Sequence, residues 1–138
     1  MVQATLSAVF VIGLVGSASA DPIDRDQIQV VDGDTVHIDG KNVRLVGFDT
    51  PETTFGEYRC DPELEWGKRA AARLNEILDS ANTIDIRYRK RPDRYKRPLA
   101  LLKVDGRNVG QTLIRERLAV RYNGSGPKMD WCPRYRGR

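Results

Sequence analysis

The chain has 138 residues and a formal net charge of +4 at neutral pH, which is enough for one domain with a modest core and not for two. Its single histidine, His37, excludes acid–base mechanisms that need two histidines in one chain. Of 23 basic residues, 17 are arginines, whose planar fork pairs bidentately with phosphate, so the charge hints at a polyanionic partner without proving one.

Residues 5–16 (TLSAVFVIGLVG) are almost wholly apolar and uncharged, and Ala18-Ser19-Ala20 offers a small-residue cleavage site before Asp21. The run is too short to span a bilayer comfortably. No Lys or Arg precedes it, so only the amino terminus supplies positive charge. The reading is a signal peptide over residues 1–20, with a short membrane anchor or a buried apolar helix as the alternatives. Cleavage would leave 118 residues with the charge unchanged, bound for the periplasm or the medium and without stable membrane association. A single domain of that size is expected to be a monomer.

Three short strands are expected next. The first covers residues 28–31 and ends at Asp32-Gly33, a hairpin signal; the second is Thr35–Ile38, ending at Asp39-Gly40; the third covers 43–48. A helix is expected over 62–79, with Asp61 as its cap, Pro62 in its first position, and Leu64, Ala71, Leu74 and Leu78 at helical spacing. Residues 83–89 alternate as a strand, with Ile84, Ile86 and Tyr88 on one face. A basic loop over 90–98 leads to a fifth strand, Leu99–Val104, and Asp105-Gly106 turns the chain into a second helix near 108–117. The tail from Asn123 reads as irregular. Residues 21–122 thus form one α+β domain, for which a five-stranded, partly closed mixed barrel of the OB type is the economical solution.

The two cysteines, Cys60 and Cys132, both follow the leader. In an oxidising compartment such a pair is expected to form one disulfide, because two thiolates do not fill a zinc shell. Two free buried thiols are the alternative. A bridge would tether the tail, residues 123–138, to the loop before the long helix.

The meander has a geometric consequence. Asp34 follows the first turn; the chain then descends the second strand and ascends a third of similar length. Asp49, at the end of the third, returns to the rim where Asp34 sits. Thr50 precedes Pro51, which biases it to an extended backbone with its carbonyl in a defined direction. Two carboxylates and a carbonyl are hard oxygen ligands suited to Ca²⁺ or Mg²⁺. The bland alternative is that aspartate favours turns and strand ends anyway.

Three segments, VVDGDT (30–35), RLVGFDTPET (44–53) and DRYKR (93–97), resemble the staphylococcal nuclease, or thermonuclease, family in that order, with a helix between the second and third. The resemblance covers residues 30 to 122. It implies an OB-fold barrel and Ca²⁺-dependent hydrolysis of phosphodiester bonds in DNA or RNA. It implies that Asp34 and Asp49 ligate calcium through carboxylates and Thr50 through its carbonyl. Glu52 matches the glutamate assigned as general base, and Arg44 and Arg97 match two arginines that grip phosphate. Tyr95, with Arg94 before it, matches a phosphate-contacting tyrosine, and Tyr122 a nucleoside-stacking one.

Two points of geometry are left to the tertiary structure. Arg44 and Asp49 are five residues apart, roughly 16 Å in a straight strand. They can share a phosphate only if the chain bends after Leu45–Val46 or the barrel curves strongly, and Gly47 is a candidate place for a bend. Where the family often has Tyr-Gly-Arg, this chain has Tyr95-Lys96-Arg97-Pro98. A left-handed backbone at the middle residue would strain Lys96, and Pro98 pushes Arg97 toward an extended conformation. The competing function is a catalytically silent OB module that binds nucleic acid or protein. A calcium-binding structural domain would explain the aspartates but neither arginine.

Overall fold

The computed structural model describes residues 20–132. The expected signal peptide and the end of the tail lie outside the described residues, apart from Ala20. Nine strands and two helices follow one another: β1 (Asp21–Pro22), β2 (Gln29–Asp32), β3 (Thr35–Ile38), β4 (Lys41–Leu45), β5 (Gly47–Asp49), α1 (Asp61–Asp79), β6 (Ile84–Tyr88), β7 (Leu99–Val104), β8 (Arg107–Asn108), α2 (Val109–Arg115) and β9 (Val120–Tyr122). A 3₁₀ turn, Arg25–Gln27, lies between β1 and β2.

The two Asp-Gly turns fold β2, β3 and β4 into the expected antiparallel meander, with Val36 opposite both Val30 and Val43. β4 then pairs in parallel with β7, Arg44 opposite Leu99, and β7 pairs antiparallel with β6. The parallel partners are joined by the crossover that α1 and β6 supply, as parallel pairing requires. The main sheet runs β1-β6-β7-β4-β3-β2, with β8 on β7. Its five longer strands adopt the OB-fold order, so the α+β OB architecture expected from the sequence is the one observed. Alternation along these strands buries Val36, Ile38, Val43, Leu45, Ala100 and Leu102, and α1 closes the core with Leu74 and Leu78.

Several local expectations are corrected. The third strand is not continuous over 43–48. It breaks at Val46, and Gly47, at φ +97°, swings β5 away to pair with β9 in a separate two-stranded ribbon. Only glycine adopts that backbone cheaply, so the bend falls where the five-residue gap between Arg44 and Asp49 demanded one. β1, β8 and β9 are too short, at two or three residues each, for alternation to reveal.

The long helix starts one residue early. Cys60, at φ −160° and ψ 155°, is the cap, with Asp61 and Pro62 in the first turn. Its buried stripe is Glu63, Gly67, Ala70, Leu74 and Leu78, so Leu64 and Ala71 are only half-buried. Tyr88 does not share the buried face of Ile84 and Ile86; it is exposed at the strand end. The second helix is shorter than expected, with the Asn108 side chain capping the Gly110 amide at 2.8 Å.

Candidate functional site

The turn after β2 and the end of β5 meet under one guanidinium group. Arg44 leaves β4 at the rim and turns its side chain into the protein. Its Nη2 lies 3.0 Å from Asp34 Oδ2 and 3.2 Å from Asp49 Oδ1, and it donates to the Phe48 carbonyl at 3.1 Å. Its Nη1 donates to the carbonyls of Leu45, at 2.7 Å, and Asp34, at 3.2 Å. Asp34, Arg44 and Asp49 are all buried. The bend at Gly47 is what makes this possible, because a straight strand would hold Asp49 beyond reach of Arg44.

Asp34 is held on every side. Its Oδ2 accepts from the Thr50 amide at 2.9 Å, its Oδ1 from the Thr35 hydroxyl at 3.2 Å, and its own amide donates to Asp32 Oδ1 at 3.1 Å. Burial pushes the Asp34 carboxyl up to about 7, against the pull of the Arg44 guanidinium, while the neighbouring Asp32 adds to the rise. Burial also raises Asp32 and Asp49. These three buried acids face the Arg44 guanidinium and, at Asp49, the Lys128 ammonium, so the acids still outnumber the cations, an arrangement that suits a further cation.

Glu52 stands three residues past Asp49 on a loop that packs against α1. A Cβ on Gly67 would lie 2.7 Å from the Pro51 carbonyl oxygen and 3.0 Å from that of Glu52. The absence of a side chain there lets the helix approach the loop and sets where Glu52 begins. The Glu52 carboxylate, more exposed than Asp49, meets the Lys128 ammonium at 2.6 Å, and the same ammonium lies 2.9 Å from Asp49 Oδ1.

The DRYKR loop forms a second, more exposed cluster. Asp93 Oδ1 accepts from the amides of Tyr95 and Arg97, both at 2.9 Å, and Oδ2 accepts from Arg97 Nε at 2.8 Å. Although partial burial works upward, the bonds from the Arg97 backbone and side chain hold the Asp93 carboxyl below its ordinary range. Lys96 does take the left-handed conformation, at φ 64°, and the Asp93 staples hold the turn there. The Arg94 and Arg97 guanidinium carbons stand 4.8 and 5.6 Å from the Tyr95 ring centre. No hydrogen bond or ion pair among the described residues joins Arg97 to Asp34, Asp49 or Glu52. The backbone brings the loop close: the Pro98 carbonyl accepts from the Arg44 amide at 2.9 Å.

Tyr122 pairs across from Gly47 in the β5–β9 ribbon, and its hydroxyl donates to the Gly126 carbonyl at 3.2 Å. It lines a cleft of about 870 Å³ with Arg89, Lys90, Arg91 and Arg121, a basic groove bordered by one aromatic ring. His37 bonds Asn42 on the neighbouring strand at 2.8 Å.

The donors gathered at Asp34 and Asp49 are hard oxygens with no sulfur or imidazole among them, so the residues present fit Ca²⁺ or Mg²⁺. Cys60, Glu63 and Cys132 also bring potential metal-ligand atoms within 4.8 Å of one another, but both sulfurs are engaged with each other, their Cα atoms 6.1 Å apart.

Two site residues escaped sequence reasoning. Asp32 was absorbed into the Asp-Gly turn signal, although it lies two residues from Asp34. Lys128 sits in a tail with no periodicity; the only pointer to it was Cys132, four residues on.

The profile of the family described as staphylococcal nuclease homologue matches residues 42–135. Endonuclease YncB of Bacillus subtilis is 36% identical over 97 residues, covering 66% of this chain and 44% of that protein. Succinoglycan biosynthesis protein ExoI of Rhizobium meliloti is 32% identical over 112 residues, 75% of this chain and 54% of the relative. The thermonuclease of Staphylococcus hyicus is 33% identical over 109 residues, 75% of this chain and 62% of the relative. The chain therefore spans roughly half the length of these relatives. With the OB strand order, the three motifs in sequence and the profile match agreeing, the chain belongs to the staphylococcal nuclease family.

Proposed function

We propose that this chain is an exported, monomeric, Ca²⁺-dependent nuclease that hydrolyses phosphodiester bonds in DNA, RNA or both. The observation that carries this reading is the convergence of Asp34 and Asp49 on one rim, with Glu52 three residues beyond. Asp34 and Asp49 would hold the ion through carboxylates and Thr50 through its carbonyl. Bound there, calcium would supply positive charge to the scissile phosphate and lower the pKa of a nearby water.

The chain's own groups supply the rest. Glu52 accepts a proton from the attacking water, whose oxygen bonds to phosphorus while the bond from phosphorus to the leaving oxygen breaks and that oxygen takes a proton from solvent to leave as the alcohol. Arg44 and Arg97 stabilise the charge that gathers on the phosphoryl oxygens; being permanently protonated, they act electrostatically. Arg94 and Tyr95 contact the substrate backbone, and Tyr122 offers its ring to a base beside the basic groove. Residues 1–20 act as the export signal, and the Cys60–Cys132 bridge forms in the oxidising compartment, leaving no thiol to titrate in the denatured, oxidised protein.

The test incubates the protein with single-stranded DNA in Ca²⁺ or in EDTA. Cleavage in Ca²⁺ alone is expected. Glu52→Gln should leave DNA binding nearly intact while lowering turnover by about 10²–10⁴-fold, the usual contribution of a general base. Binding without cleavage over a broad pH range would replace this reading by the silent binding module.

A further inference from the structure

The tail beyond β9 is built to deliver one side chain. Cys132 reaches Cys60 at the cap of α1, Asp130 Oδ1 pairs with Arg59 Nη2 at 3.0 Å, and the Met129 carbonyl accepts from the same nitrogen at 3.4 Å. Trp131 is buried. On the other side, Gly126 is held by the Tyr122 hydroxyl. Residue 128 is strung between these anchors, and its ammonium reaches both Asp49 and Glu52 although 76 residues of chain separate it from Glu52.

The position of that ammonium matters more than the fact of an ion pair. Asp49 Oδ1 already faces Arg44 Nη2 at 3.2 Å and Lys128 Nζ at 2.9 Å. A divalent ion takes carboxylate oxygens at about 2.3–2.6 Å, so it would have to share this oxygen with two positive charges unless one of them moves. Arg44 is held by four further oxygens of the surrounding chain and its side chain is only 9% exposed, so it is the less mobile of the two. Lys128 can move, because its side chain has a flexible stem and is 46% exposed.

We propose that Lys128 is an active-site residue of this protein: an internal counter-cation, anchored through Cys132, that pairs Asp49 with Glu52 until a divalent cation displaces it. The inference rests on the reading of Asp34 and Asp49 as metal ligands. It makes apparent metal affinity depend on how firmly the tail holds the lysine, because binding must first release the competing contact. It also gives the Cys60–Cys132 bridge a role at the site, since opening it frees the segment that presents the ammonium.

The test is isothermal titration of Ca²⁺ into the full, oxidised chain. Lys128→Met keeps the apolar stem and removes the charge; it should tighten Ca²⁺ severalfold, because the site no longer spends part of its time closed by the lysine. Lys128→Arg should stay near wild type. Reducing the bridge, with the fold checked by circular dichroism, should move wild type toward Lys128→Met and leave Lys128→Met itself unmoved. Equal affinity in wild type and Lys128→Met overturns the inference and leaves the metal site standing. Binding by neither protein removes the metal site and this inference with it. Binding by Lys128→Met alone supports the inference in its strongest form.

Discussion

Arg44 and Arg97 are assigned the same task and occupy opposite settings. Arg44 lies opposite Leu99 in the β4–β7 pairing, and Arg97 precedes Leu99 by two residues, so their backbones are near neighbours. Yet the Arg44 side chain is 9% exposed and bonded to three backbone carbonyls and two carboxylates, whereas that of Arg97 is 36% exposed with Asp93 as its carboxylate partner. The strand rim holds its arginine as part of the core; the loop holds its arginine nearer the surface, through Asp93 and the Tyr95 ring. In the first case charge stabilisation and folding are inseparable, and in the second they can be separated by mutation.

The sharpest test is to remove each arginine. Arg44→Ala leaves buried carboxylates facing empty space and should cost about 3–5 kcal/mol of unfolding free energy, read from urea denaturation, along with activity. Arg97→Ala breaks a partly exposed pair worth about 0.2–1 kcal/mol, yet should lower turnover by roughly 10²–10³-fold if it stabilises charge in the reaction. Similar stability losses in the two variants would erase the distinction.

A smaller effect concerns acidity at the rim. Asp34 titrates near 3.8 in the unfolded chain and is raised to about 7 in the folded one. The folded protein therefore binds more protons in that window, and this group's contribution to stability is lost as pH rises from about 4 to about 7. In EDTA, the melting temperature should fall across that range, and Asp34→Asn should shrink the fall. An undiminished fall in the variant would show that Asp34 is not the group responsible. The exposed loop offers the smallest change: Lys96→Gly relieves a left-handed lysine and should add about 0.5–1 kcal/mol in the same urea assay. A loss of stability would mean that the lysine makes compensating contacts.

What was legible in the sequence follows the same division. The meander, its two Asp-Gly turns and the return of Asp49 to the rim of Asp34 could be read because alternation and turn chemistry are local. Leu74 and Leu78 could be placed in the core for the same reason. Glu63 and Gly67 could not: a helical stripe containing a glutamate and a glycine carries no hydrophobic signal, although Gly67 governs the approach of α1 to the Glu52 loop. β9 is only three residues long, too short for periodicity, and is defined by its pairing with β5. Lys96 was legible as a strained choice, but not Asp93 as the side chain that secures it.

By itself, the sequence determined the OB architecture, the family, and the residue types available for chemistry, because hydrophobic period, turn residues and motif spacing act over a few positions at a time. Only the tertiary structure decided that Arg44 turns inward to join Asp34 and Asp49, that β5 leaves the main sheet to pair with β9, and that Lys128 reaches Asp49 and Glu52 from a distant tail. Those outcomes depend on strand pairing and a cross-chain tether, contacts between residues far apart along the chain, and no local pattern encodes them.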